Sequence, residues 1–80
     1  MRELKITLRA ARVNAGLSRK EAAKYFSISP ETISNYELNS SKVPRSFFTK
    51  VEAVYNIPLD YIFFGKEEDF INEQKKLSVG

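Results

Sequence analysis

Apolar residues fall along this chain in short groups at helical spacing, each closed by glycine or polar residues. Leu4, Leu8 and Ala11 give a first helix one apolar face, and Gly16 ends it, as glycine does just past a helix C-terminus. Leu17 then turns inward. Ser18-Arg19-Lys20-Glu21 is a capping box: the serine can accept from the backbone N–H three residues on, and Glu21 can reach back to the serine N–H. The second helix buries Ala22, Ala23 and Phe26, and its two adjacent alanines allow a neighbouring helix to approach closely. Ile28 plugs the link that follows. Ser29-Pro30 starts a third helix, with serine as cap and proline at the first helical position, where its missing N–H costs nothing. This helix runs to about Leu38, with Ile33, Tyr36 and Glu37 inward.

After a polar loop at 39–44, a fourth helix carries Phe47, Phe48, Val51, Val54 and Tyr55. Ile57-Pro58 restarts the chain, and a short fifth helix (Leu59, Tyr61, Ile62, Phe63) is predicted to end at Gly65. No stretch alternates with period two for long enough to predict a strand. The fold class expected is all-α. Residues 1–65 are predicted to form the domain. Residues 66–80 are a charged tail, either a loose end or a short sixth helix, and the shared face of Phe70, Gln74 and Leu77 favours partial helix.

Composition narrows the chemistry. The 80 residues hold neither cysteine nor histidine, which removes disulfides, thiolate metal sites and the commonest general base and metal ligand. Glu67, Glu68 and Asp69 form a charge run, not a pair of acids on separate elements. There is no glycine-rich phosphate loop and no nucleophile with a base beside it, so no enzyme, metal or cofactor is expected. No apolar run approaches the ~20 residues of a membrane span, and Met1-Arg2-Glu3-Leu4-Lys5 leads into no signal-peptide core. A soluble, cytoplasmic protein without membrane contact is expected. The net charge of +3 divides unevenly: residues 1–50 carry ten Lys/Arg and four Asp/Glu, and residues 51–80 carry three and six. A basic first part suits a surface that meets phosphate on one side, although chance clustering on solvated faces produces the same asymmetry.

A helix that reads base edges must enter the major groove with small or polar side chains near its N-terminus, while a second helix, rigidly linked, lies across the backbone. Residues 18–37 meet these demands. Pro30, Glu31, Thr32 and Asn35 face outward, and Glu31 and Asn35 stand one turn apart on the same side. Asparagine can pair with N6 and N7 of adenine. Threonine can touch a thymine methyl or hydrogen-bond, and glutamate can accept from cytosine N4 or repel phosphate. Phosphate contacts are expected from Arg19 and Lys20, from the helix start at Ser29, and from Asn39, Ser40, Ser41 and Lys42.

At this point residues 4–65 resemble the Cro and phage-repressor (Xre-type) helix-turn-helix family. The resemblance rests on Leu8-Arg9 and Arg12, Gly16-Leu17-Ser18, Ala23, Ile28-Ser29, Thr32-Ile33-Ser34-Asn35-Tyr36-Glu37, Ile57 and Asp60-Tyr61. It implies a compact five-helix, lambda-repressor-like domain that binds double-stranded operator DNA, usually as a dimer. It also implies that Arg12 pairs with Glu37 as a structural ion pair and that Arg19 clamps a phosphate. Pro30, Glu31, Thr32 and Asn35 take the base-reading positions. The chain departs from the family where Arg19 and Pro30 replace the usual glutamine or other polar residue, where Ala22 replaces a leucine, and where Glu52 replaces a small residue. Phe47, Phe48 and Tyr55 are expected to fill the space that Ala22 leaves.

The function expected is that of a sequence-specific transcriptional regulator, a repressor that occludes a promoter by binding a palindromic operator. By resemblance it is Cro-like and belongs to a phage or mobile element. Two domains on half-sites about 34 Å apart gain affinity over one, so a homodimer is expected, with Phe63, Phe64, Phe70 and Ile71 at its interface. The alternative is a protein-interaction module on the same fold, an antitoxin or anti-repressor, docking a protein partner through the C-terminal tail.

Overall fold

The computed structural model describes residues 5–79, with side chains described up to residue 76. Its elements run in the order β1 (Ile6–Thr7), α1 (Leu8–Asn14), α2 (Arg19–Phe26), α3 (Pro30–Leu38), a 3-10 turn at Ser40–Lys42, α4 (Arg45–Tyr55), a second 3-10 turn at Leu59–Tyr61, β2 (Ile62–Phe63) and α5 (Glu67–Val79).

Local chemistry sets the helix ends. The Thr7 hydroxyl caps α1 by accepting from the Ala10 N–H at 3.0 Å, so α1 begins one turn beyond Leu4, which lies outside the described residues. Both helices that precede a start signal end in the same way. After α1, Gly16 takes φ 76°, the Leu17 N–H donates to Arg12 O and the Gly16 N–H donates to Val13 O. After α2, Ser27 takes φ 57°, the Ile28 N–H donates to Ala23 O and the Ser27 N–H donates to Lys24 O. These are paired 6→1 and 5→2 bonds around a left-handed residue. Each drives the next apolar residue, Leu17 or Ile28, against the core.

That core gathers Leu8, Ala11, Ala22, Ala23, Phe26, Ile33, Phe47, Val51, Tyr55 and Ile62. Its centre is aromatic. The rings of Phe26 and Phe47 stack with centroids 4.2 Å apart, and Tyr55 and Tyr36 meet this pair edge-on at 5.5 and 4.8 Å. Phe47 and Tyr55 thus share the core with Ala22. Phe48 does not; it remains 37% exposed and lies against Phe64.

The all-α class stands, with two corrections. The predicted fifth helix at 59–64 is a single 3-10 turn after Pro58, followed by extended chain. Ile62 and Phe63 pair in parallel with Ile6 and Thr7, a two-residue strand pair where no strand was predicted. This pairing buries Ile62 in the core and supplies hydrogen-bond partners to backbone that a three-residue helix would leave open. The fifth helix of the fold comes instead from the tail. α5 starts on Lys66, whose carbonyl accepts from the Asp69 and Phe70 N–H groups. Its Phe70 ring packs on Phe63 at 5.1 Å. Among the described residues no helix is long and apolar enough to cross a membrane, and no group of three or more His, Cys, Asp or Glu is placed to hold a metal.

Candidate nucleic-acid interface

The α2–α3 unit is built by its caps. Ser18 Oγ accepts from the Glu21 N–H at 3.1 Å, and Glu21 Oε1 accepts from the Ser18 N–H at 2.9 Å, completing the capping box. The Ser18 N–H, and after it the Ser18 hydroxyl, hold the Glu21 carboxyl below its ordinary range. Ser29 Oγ accepts from the Thr32 N–H at 3.1 Å and shares a hydroxyl hydrogen bond with Thr32 Oγ1 at 2.8 Å. With Pro30 at its first position, α3 starts abruptly and presents its N-terminal half. Pro30, Glu31 and Asn35 are exposed, Thr32 is half-buried, and Ile33 and Glu37 are buried beneath them.

Beneath that surface, three arginines meet one carboxylate. Glu37, from the last turn of α3, has a fully covered side chain. The Arg12 Nε donates to Glu37 Oε2 and the Arg12 Nη2 donates to Oε1, while Nη1 donates to Leu17 O at 2.8 Å. Arg12 therefore ties α1, the turn after it and α3 together. Arg19 Nε lies 3.6 Å from Glu37 Oε1 and Arg9 Nε lies 3.7 Å from it. Arg9 also reaches Glu67 of α5 at 3.1 Å. Three guanidiniums against Glu37 and Glu67 leave one net positive charge, with Arg19 on the outside, 45% exposed. A guanidinium anchored on one edge and open on the other can meet a phosphate without losing its interior contact.

The remaining predicted phosphate ligands divide. Lys20, Ser29 and Lys42 are exposed. Asn39 Oδ1 accepts from both the Ser41 N–H, at 3.1 Å, and the Ser41 hydroxyl, at 2.6 Å, so that these two residues shape the turn. Ser40 is corrected. It is 3% exposed, its N–H donates to Gly65 O at 2.9 Å, and its hydroxyl donates toward Gly65 O while accepting from the Gly65 N–H. Both of its donors are consumed in fastening the turn to the start of α5, so Ser40 has none left for phosphate. Of the predicted interface residues, Phe63, Phe64 and Phe70 are half-buried against rings of the same chain, and Ile71 is exposed. Arg9 and Glu67 are the site neighbours that sequence reasoning missed. The three-residue step from Arg9 to Arg12 puts both on one side of α1, which is a usable signal; nothing local points to Glu67.

A family model described as helix-turn-helix matches residues 8–62. The HTH-type transcriptional regulator ImmR of Bacillus subtilis (strain 168) is 36% identical to this chain over 61 residues, which is 76% of this chain and 47% of ImmR. The chain thus spans about half the length of that relative.

Proposed function

We propose that this chain, which belongs to the helix-turn-helix family, is a sequence-specific DNA-binding transcriptional regulator. In this reading it binds a palindromic operator as a homodimer and represses by covering a promoter. One observation carries the reading: the first two turns of α3 present Pro30, Glu31, Thr32 and Asn35 from a start capped by Ser29, above an arginine-locked base at Glu37. The likeness to ImmR, a transcriptional regulator by name, supports it. Asn35 reads an adenine through N6 and N7, Thr32 and Pro30 offer carbon atoms to a thymine methyl, and Glu31 accepts from cytosine N4. Arg19, Lys20, Ser29, Lys42 and the turn at Asn39 and Ser41 set register on the phosphates without selecting sequence.

A salt titration of binding to double-stranded DNA tests this. With roughly four phosphates neutralised per protomer by Arg19, Lys20, Lys42 and a helix start, log affinity falls against log salt with a slope of about −3 to −4 per protomer. Binding that is absent at low salt, or independent of salt, contradicts it.

A further inference from the structure

The buried Glu37 carboxylate has two oxygens for its three guanidiniums. Arg12 Nε donates to Oε2. The other oxygen, Oε1, is shared: Arg12 Nη2 lies 3.4 Å from it, Arg19 Nε 3.6 Å and Arg9 Nε 3.7 Å. None of the three holds Oε1 at the roughly 2.8 Å of a strong charge-assisted hydrogen bond. Arg9 and Arg19, both partly open to solvent, are therefore rivals for one acceptor.

Glu67 separates the rivals. Its carboxylate takes Arg9 Nη2 at 3.1 Å, and its side chain is only 13% exposed. Backbone sets its place, because the Asn39–Lys66 bridge and the reciprocal Ser40–Gly65 hydrogen bonds fasten the start of α5 to the end of α3. Held in this way, Arg9 keeps its Nε buried and without a hydrogen-bond partner among the described residues. A buried N–H left unbonded is costly, and Glu37 Oε1 is the carboxylate oxygen beside it. The Arg9–Glu67 pair thus holds back a donor that would otherwise close on Glu37.

We propose that Glu67 is a positioning residue for Arg19. By engaging Arg9 it leaves Glu37 Oε1 to Arg19, whose guanidinium is then anchored on its inner edge and open to a DNA phosphate on its outer one. The phosphate belongs to the function proposed above, on which that last step rests; the competition among the arginines does not depend on it. With Glu67 neutral, Arg9 closes on Oε1 and Arg19 is released. A released side chain has to be ordered again when it meets phosphate, an entropic cost that the anchored one avoids. The start of α5 therefore acts on the phosphate contact of α2 without touching DNA.

Two measurements on the full chain test this, the first without DNA. Nitrogen-15 relaxation of the arginine Nε–H groups reports how rigidly each is held on the picosecond-to-nanosecond scale. In the wild type the Arg19 Nε–H is ordered. In Glu67→Gln it becomes mobile, while the Arg9 Nε–H becomes more ordered. Adding Arg9→Met to Glu67→Gln restores order at Arg19, because the rival is gone; a mere loosening of α5 would not be reversed by removing Arg9. Circular dichroism confirms that each variant is folded. The second measurement is a cycle of DNA affinities. Arg19→Ala weakens binding by about tenfold per protomer in the wild type, as loss of one charge-assisted hydrogen bond does. In the Glu67→Gln background the same change costs about threefold or less. The cycle cancels the plain gain in DNA affinity that follows from removing any acidic charge. Arg19 order that is indifferent to Glu67→Gln, or that Arg9→Met does not restore, overturns the proposal, and so does an equal cost of Arg19→Ala in both backgrounds. A wild type that binds no DNA removes the function proposed above, and the relaxation data still decide the role of Glu67.

Discussion

At the scale of single residues, the chain separates side chains that build the α2–α3 unit from those left exposed on it. Ser18, Glu21, Ser29 and Arg12 have their polar atoms committed to the protein. Asn35, Glu31 and Pro30 are exposed, with no such bond to the protein described. Tyr55 is the exception in the core. It is 1% exposed and its hydroxyl has no hydrogen-bond partner. A buried hydroxyl without a partner costs about 1–3 kcal/mol, so Tyr55→Phe is expected to leave stability unchanged or raise it by about 1 kcal/mol near neutral pH. Burial, reinforced by the Glu37 carboxylate, also pushes the Tyr55 phenol above its ordinary value of 10.0. Its folded state thus resists ionisation that the unfolded chain accepts, and stability present below about pH 10 is lost as pH rises beyond it. Denaturant unfolding of both proteins at neutral and alkaline pH checks this. Tyr55→Phe loses less on the alkaline side, and a loss above about 1 kcal/mol at neutral pH would mean that the hydroxyl has a partner.

At the scale of elements, the turns carry the precision. Two helix ends closed around Gly16 and Ser27 are each followed within three residues by a serine cap, so α1, α2 and α3 enter at fixed angles. The capping box makes a pH-dependent contribution with a definite sign. The Glu21 carboxyl is held below its model-compound value of 4.5 by the Ser18 N–H and hydroxyl. Its contribution is therefore present above about pH 4.5 and disappears as pH falls through the lowered value. Glutamine at this position can keep the reciprocal bond without titrating. Thermal unfolding from about pH 7 to about pH 3 is expected to show the wild type losing more stability than Glu21→Gln; parallel curves would remove Glu21 from the acid response. These caps were legible in the sequence because each is a pattern of two or three neighbours: Ser18 with Glu21, Ser29 with Pro30, Gly16 with Leu17. The β1–β2 pair was not. Ile6 and Ile62 are 56 positions apart, and two residues of extended chain leave no periodicity to detect. The segment 59–63 has the apolar spacing of a helical turn, and only the distant partner at β1 decides against it.

At the scale of the whole molecule, an ion cluster centred on the buried Glu37 links α3 to the rest of the chain. Glu37 of α3 joins Arg9 and Arg12 of α1 and Arg19 of α2, and Arg9 carries the connection to Glu67 of α5. The Arg12–Glu37 pair was visible through family resemblance alone. The role of Arg9 and the placement of α5 depend on charges that meet across 58 positions, which no local pattern shows. The surface proposed to read bases is narrow: Pro30, Glu31, Thr32 and Asn35 span about one and a half turns of α3. In the proposed function, two copies in fixed spacing, together with sequence-dependent DNA shape, contribute much of the specificity. Selection of bound duplexes from a random pool, run in parallel on the wild type and on Asn35→Ala, tests this most directly. The account predicts enrichment of a palindrome with half-sites about 34 Å apart. It also predicts that Asn35→Ala relaxes one adenine-containing position in each half-site by about 1–3 kcal/mol and leaves the others intact. A pool that remains random at low salt, or a site read identically by both proteins, would contradict it.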